Sequence, residues 1–376
     1  MKIDRNIVSG NIEVLDMQGD TVTLANELRD TWEDRDWFYW AFRVSGAAGR
    51  TVTFQFPHID RVGYWGAAVS TDLYSWQWTG NRKSWQIDDG TTYEAFTYTF
   101  GKEENEVYFC YNMLYTPARF ERFCAENHLK IEELCLSNKG RSVPCVRVGE
   151  GEKKILLTSR HHACESTGTY VMESVLESFV QDPPKGYEIL CVPFVDYDGV
   201  VDGDQGKHRL PWDHCRDYHL DHSPSIYNTC AAIRKIADTN PIVFAFDFHS
   251  PKHCGGINDR VHIPYNFVEE TERYNYFSSI FASKITPDAI PYDPADNWPA
   301  DDGWNKSTNP NFARYMAVNS ANKLAVVLET PYFGFPDGSA VTNLDTMCAF
   351  GKCFVSAVRE YEKECRSNDF APSESV

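Results

Sequence analysis

The run Lys154-Ile155-Leu156-Leu157-Thr158, continued by Ser159-Arg160-His161-His162-Ala163-Cys164-Glu165, is where the chain declares its organisation. A short apolar run closed by polar residues predicts a buried strand that ends in a turn and opens a helix. A histidine and a glutamate three residues apart share one side of such a turn, so an imidazole nitrogen and a carboxylate oxygen can reach one cation. The spacing is weak alone, because 11 histidines and 54 acidic residues produce such pairs by chance. The plain alternative is a solvated first helical turn with Glu165 near the positive end of the helix dipole. His161 competes with His162 for the role; the spacing to Arg160 and Glu165 favours His162.

Other strand ends carry matching residues. Phe244-Ala245-Phe246-Asp247-Phe248-His249-Ser250 places a histidine at the tip of an apolar strand, where it can meet the His/Glu pair and leave a fourth position open, as in catalytic zinc sites. Lys323-Leu324-Ala325-Val326-Val327-Leu328-Glu329 runs an apolar strand into one carboxylate, which is costly to desolvate and suited to accept a proton from water. Between them lie Asp196-Tyr197-Asp198-Gly199-Val200, a turn, and Arg209-Leu210-Pro211-Trp212-Asp213-His214-Cys215-Arg216. Arginine suits a carboxylate or a developing oxyanion, unless both arginines are spent on neighbouring aspartates. A separate local cluster, His214, Cys215, His219 and His222, could hold a structural ion instead.

Working outward, residues 1–115 read as short aromatic and β-branched runs, among them 37–44, 51–56, 93–100 and 106–111, expected to form an antiparallel sandwich. Tyr64, Trp65, Trp76 and Trp78 could line a sugar-binding face, although aromatic residues more often fill the core. Residues 116–376 alternate apolar strands (154–158, 187–195, 241–248, 323–328) with helical stretches (117–128, 166–180, 225–237, 267–285, 343–364). The expected fold is therefore α/β, a mixed, largely parallel sheet flanked by helices, with ligands at the strand ends and an all-β sandwich in front. The polar stretch after Cys365 is expected to fray.

Composition excludes some classes. With a net charge of -18, the chain has no basic surface for nucleic acid. No run approaches the roughly 18 apolar residues of a membrane span, and residues 1–10 lack a signal-peptide core, which predicts a cytoplasmic protein. The 12 cysteines include no C-x-x-C and several sit in apolar runs, which predicts reduced, buried thiols.

Arg160-x-His162-x-x-Glu165, Asp198-Gly199-Val200, Arg209, Asp213-x-Cys215-Arg216, His249 and Glu329 occur in the order found in the zinc carboxypeptidases related to carboxypeptidase A, which this chain resembles over about residues 120–366. The preceding sandwich makes it similar to their cytosolic branch. The resemblance implies one zinc ion per chain, held by His162, Glu165 and His249, with Glu329 as general base. It further implies that Arg209 polarises the scissile carbonyl, Arg216 holds the substrate's terminal carboxylate, and Asp213 orients His162. Arg314 would face the last side chain and favour a C-terminal Glu or Asp. Two departures stand out: Ala163-Cys164 replaces the usual Pro-Gly, and Cys215 replaces an Asn. The implied activity is hydrolysis of the C-terminal bond of a peptide; an amidase on cell-wall peptides, an N-acyl amino acid deacylase and a non-catalytic carbohydrate-binding module are the alternatives.

Overall fold

A computed structural model describes residues 1–29, 31 and 37–367, so the polar stretch beyond 367 lies outside the described residues. The leading strands pair into two five-stranded sheets. One runs Lys2–Asp4, Ala41–Ser45, Glu106–Cys110, Ala68–Ser70, Gln77–Trp78 and is antiparallel throughout. The other runs Glu13–Gln18, Thr21–Ala25, Thr51–Phe56, Thr92–Thr99, Lys83–Gln86, and its Thr21–Ala25/Thr51–Phe56 pair is parallel, a departure from the antiparallel expectation. Alternation sets the faces: Val52, Phe54 and Phe56 point inward while Thr51, Thr53 and Gln55 do not. Trp40 stacks on Phe96 with centroids 5.7 Å apart, and Phe54 and Phe109 complete an aromatic core.

The aromatic residues considered for sugar binding do not form a free face. Trp76 is buried; the Trp65 and Trp78 indoles donate to the carbonyls of Phe333 and Thr342 at 2.9 Å each; and the Tyr64 hydroxyl donates to Asp259. They join the sandwich to the remainder of the chain.

Thr116 caps the helix Pro117–Glu126, its hydroxyl accepting from the Arg119 N–H. The following sheet has the order Glu132–Leu136, Ser142–Val148, Tyr187–Val192, Lys153–Ser159, Ile242–His249, Leu324–Glu329. The last four strands are mutually parallel and the first two pair antiparallel, which is the mixed, largely parallel sheet expected. Every residue of Ile242–His249 is buried, as the apolar run demands of a strand covered on both faces. Ser166–Gln181, Thr271–Lys284 and Leu344–Ser367 cover one face, Asn228–Thr239 and Phe312–Ala317 the other.

Element ends differ from expectation for local reasons. The helix expected from Ser225 begins at Asn228, because the Asp217 carboxylate accepts from the N–H groups of Ile226 and Tyr227. The strand expected to reach Val195 stops at Val192, ahead of Pro193, which cannot donate to a ladder. All 12 cysteines are free thiols.

Gly168 lets the helix Ser166–Gln181 lie against the histidine strand. A Cβ there would stand 2.6 Å from the Phe248 carbonyl oxygen and 2.9 Å from the His249 nitrogen. Gly168→Val should therefore lose about 1–3 kcal/mol of stability by overpacking, read as a lower denaturant midpoint at unchanged slope; an unchanged midpoint would show that the helix can retreat freely.

Candidate metal centre

Strand register brings the chain-distant residues together. Lys153–Ser159 and Leu324–Glu329 both pair with Ile242–His249, so Ser159 lies beside Phe248 and His249 beside Glu329. After Ser159 the chain turns sharply at Arg160, whose φ is 60°. The Arg160 guanidinium is fully buried and clamps that turn, donating to the Ala163 carbonyl at 2.6 Å, the Tyr115 carbonyl at 3.1 Å and the Ser166 hydroxyl at 2.9 Å. The turn presents His162 and Glu165 to the tip of the histidine strand.

There, Glu165 lies between two imidazoles. Its Oε1 is 2.8 Å from His162 Nδ1 and its Oε2 is 2.8 Å from His249 Nδ1. The ligand atoms of His162, Glu165 and His249 lie within 4.8 Å of one another. Each imidazole is held from behind: His162 Nε2 is 3.3 Å from Asp213 Oδ2, and His249 Nε2 is 2.6 Å from Asp247 Oδ2. With each Nε2–H donated to its aspartate, a neutral ring turns its Nδ1 lone pair towards a carboxylate oxygen, a place that a proton on Nδ1 or a metal ion would fill. Those lone pairs repel unless positive charge stands among them. Two imidazole nitrogens and a carboxylate are a donor set that suits zinc, so the residues fit the ion that the resemblance implies.

The electrostatics agree. Burial would raise Glu165, but Lys207, His162 and His249 hold it well below the usual carboxylate range. Burial would lower His162, yet Glu165 and Asp213 push it up to about 9. His249 rises for the same reason, with Asp247 as its main partner. Each of these shifts favours positive charge on the rings beside the Glu165 carboxylate, the place that a cation would take.

His161 faces away from this pocket. Its Nδ1 is 2.9 Å from Asp247 Oδ1 and its Nε2 2.8 Å from the Tyr218 hydroxyl, so it braces the aspartate behind His249. The alternative cluster does not converge. His214 stacks on Tyr227 at 3.6 Å, His219 lies by Asp217 and His222 by Tyr315; only Cys215 approaches His162 and Asp213.

A cleft of about 530 Å³ opens over the triad, lined by His162, His249, Asp213, Cys215, Arg216 and Glu329, with Lys207 and the indoles of Trp298 and Trp304. Glu329 Oε2 is buried with no hydrogen-bond partner, and its backbone is fixed by a bridge to His262. Asp213 Oδ1 accepts from the Arg216 N–H, which positions both residues, and the Arg216 guanidinium lies 3.5 Å from the Pro310 carbonyl. The other two expected arginines do not line this cleft. Arg209 lies 2.8 Å from Asp196 and 3.0 Å from Asp204. Arg314 is 1% exposed, and its three nitrogens donate to the carbonyls of Asn266 and Asn309 and to Asn305 Oδ1. The fork of Arg314, expected beside the substrate's last side chain, is thus occupied by these partners, and Asn305 lines the cleft.

Lys207 and Asp247 were not singled out from sequence. Asp247 had a signal, since residues two apart on a strand share a face and His249 follows it by two. Lys207 had none. Burial opposes its charge, but Glu165 and Glu329 hold it above the usual lysine range.

This architecture is the metallo-carboxypeptidase fold. The chain superposes on the metallo-carboxypeptidase of Burkholderia cenocepacia with a TM-score of 0.75 at 18% identity, covering 97% of this chain and 99% of that one. For the Pseudomonas aeruginosa metallo-carboxypeptidase, solved with (2-guanidinoethylmercapto)succinic acid, the TM-score is 0.71 at 18% identity, covering 97% and 100%. The likeness is, more particularly, to the cytosolic carboxypeptidases: residues 3–112 match the model of the cytosolic carboxypeptidase N-terminal domain. Cytosolic carboxypeptidase 2 of Danio rerio is 24% identical over 273 residues, 61% of this chain and 37% of that protein. An uncharacterised Zymomonas mobilis protein is 27% identical over 193 residues, 48% of each. The chain thus spans about half or less of the curated relatives it matches. Among the described residues no helix is long and apolar enough to cross a membrane.

Two measurements test the surroundings of the triad. Asp213→Asn should weaken zinc binding about 10- to 100-fold, as loss of a partner behind a ligand histidine does, in a chelator competition. His214 is held neutral by burial, its pKa lowered to about 4. Its contribution to stability is complete above the unfolded value of about 6.5 and is lost as pH falls towards 4. His214→Phe should accordingly flatten the fall in unfolding free energy over that window, and a slope equal to wild type would refute the assignment.

Proposed function

We propose that the chain is a zinc metallo-carboxypeptidase that hydrolyses the C-terminal bond of a peptide or peptide-like substrate. The observation that carries this reading is the pair of imidazole Nδ1 atoms converging on buried Glu165 beneath a cleft that also holds Glu329. We assign His162, Glu165 and His249 as ligands of one ion, Asp213 as the brace of His162, and residues 1–115 and 116–376 as the two domains.

Zinc held there supplies a Lewis acid for the scissile carbonyl and activates water. Glu329, with a buried oxygen free of hydrogen bonds, takes the proton of the attacking water and returns it to the leaving amine. Arg216 holds the substrate's terminal carboxylate from the cleft wall. Arg209, paired with two aspartates, contributes its charge to the developing oxyanion only from beside the cleft. An acidic preference for the last residue would rest on Lys252, which lines the cleft while Arg216 takes the terminal carboxylate. The relatives' description as cytosolic supports a cytoplasmic location.

The test is metal content and turnover together. Purified chain should bind about one zinc and release C-terminal residues from a peptide library. Glu329→Gln should lose about 10²–10⁴ in kcat, the usual worth of a general base, with zinc content unchanged. Zinc-free protein, or a Glu329→Gln variant of undiminished rate, would overturn the proposal. An amidase on a non-standard amide is the second reading, favoured by Cys215, a weaker hydrogen-bond partner than the amide it replaces; turnover of cell-wall peptides without turnover of ordinary peptides would select it.

A further inference from the structure

The loop that carries Lys207 is pressed against the turn that carries the triad. At Gly206, where φ is 82°, a Cβ would stand 2.4 Å from the Ala163 nitrogen and 3.0 Å from His162 Cα. Only glycine allows that approach, and its effect is to deliver the next side chain to the metal-ligand cluster. Lys207 Nζ lies 2.5 Å from Glu165 Oε1 and donates to the Ser250 carbonyl at 2.9 Å. Its side chain is 11% exposed and lines the cleft.

Glu165 Oε1 therefore has two neighbours with a claim on it: the imidazole of His162 at 2.8 Å and the ammonium of Lys207. A divalent ion shared by His162, Glu165 and His249 draws on the same carboxylate. Two cations on one buried carboxylate repel at contact range, and the surrounding low dielectric strengthens the repulsion. Ammonium is compact and its stem is flexible, so it can yield its place where a guanidinium fork would be harder to move. Glu329, the other carboxylate at the mouth of the cluster, gives it a second partner within the cleft.

We propose that Lys207 is a tethered competitor for the metal: its ammonium and the ion share the Glu165 carboxylate, so this chain binds a divalent cation more weakly than the same triad without the lysine. The proposal rests on the metal reading above and adds a residue that sets the affinity. It makes two linked demands. Removing the ammonium strengthens zinc binding, and it also leaves Glu165 less well compensated when zinc is withheld.

The experiment is a competition for zinc between the full chain and a chromogenic chelator at neutral pH, with thermal unfolding of the same samples. Lys207→Met should bind zinc about tenfold more tightly or better, the scale on which residues next to ligands act. Its unfolding temperature should fall below wild type in chelator and recover when zinc is added. Lys207→Arg, which keeps the charge on a fork that is harder to move, should bind zinc no more tightly than wild type. Should Lys207→Met fail to fold, Lys207→Gln, still able to donate to the Ser250 carbonyl, carries the same comparison. Wild-type protein that binds one zinc, with the Met or Gln variant equal or weaker, overturns the proposal and leaves the metal reading intact. Absence of zinc binding by wild type and variants alike overturns both.

Discussion

A carboxylate with no solvent exposure, set between two imidazoles, is the constraint around which the second half of the molecule is arranged. Glu165 cannot be desolvated at acceptable cost without positive charge against both oxygens. Three features supply and hold its partners. The parallel register sets His249 and Glu329 side by side, the Arg160 clamp fixes the turn that carries His162, and Gly168 brings the first long helix onto the histidine strand. Behind the imidazoles, Asp213 and Asp247 fix the rings so that Nδ1, not Nε2, faces the carboxylate. Asp247 is itself held by Thr158, by His161 and through His161 by Tyr218, so the orientation of one ring is fixed several residues deep.

Much of this was legible in the sequence because burial leaves a plain signature. The strands ending in Ser159, His249 and Glu329 announce themselves as apolar runs closed by polar residues, and a buried parallel sheet has no other way to be written. The sandwich was legible from alternation in 51–56, but not its one parallel pair, since pairing partners leave no local mark. Spacing favours His162 over His161, although both rings carry the same chemistry; in the fold His161 turns to Asp247 and His162 to Glu165.

What sequence could not supply was competition among partners. Arg209, Arg216 and Arg314 look alike as isolated letters, yet only Arg216 lines the cleft. Asp196 and Asp204 pair with Arg209, while backbone carbonyls and Asn305 engage Arg314. Lys207 is the opposite case, a residue with no motif around it that reaches the most charged point of the site because Gly206 allows its loop to approach. Such placements depend on loop geometry, which neither periodicity nor spacing encodes.

The sandwich meets the rest of the chain a few residues beyond Glu329. Trp65 and Trp78 donate to the backbone of the segment holding Phe333 and Thr342, and the Phe333 ring lies so close to Gly63 that a Cβ there would fall 2.1 Å from it. The stretch leading out of the strand Leu324–Glu329 is thus moulded on the leading sheets, with its shape recorded in residues hundreds of positions away. The two halves have to drift as one lineage: a leading half taken from a distant homologue would arrive with the wrong imprint for this segment, and recombination between homologues is penalised at this seam even where each half is sound by itself.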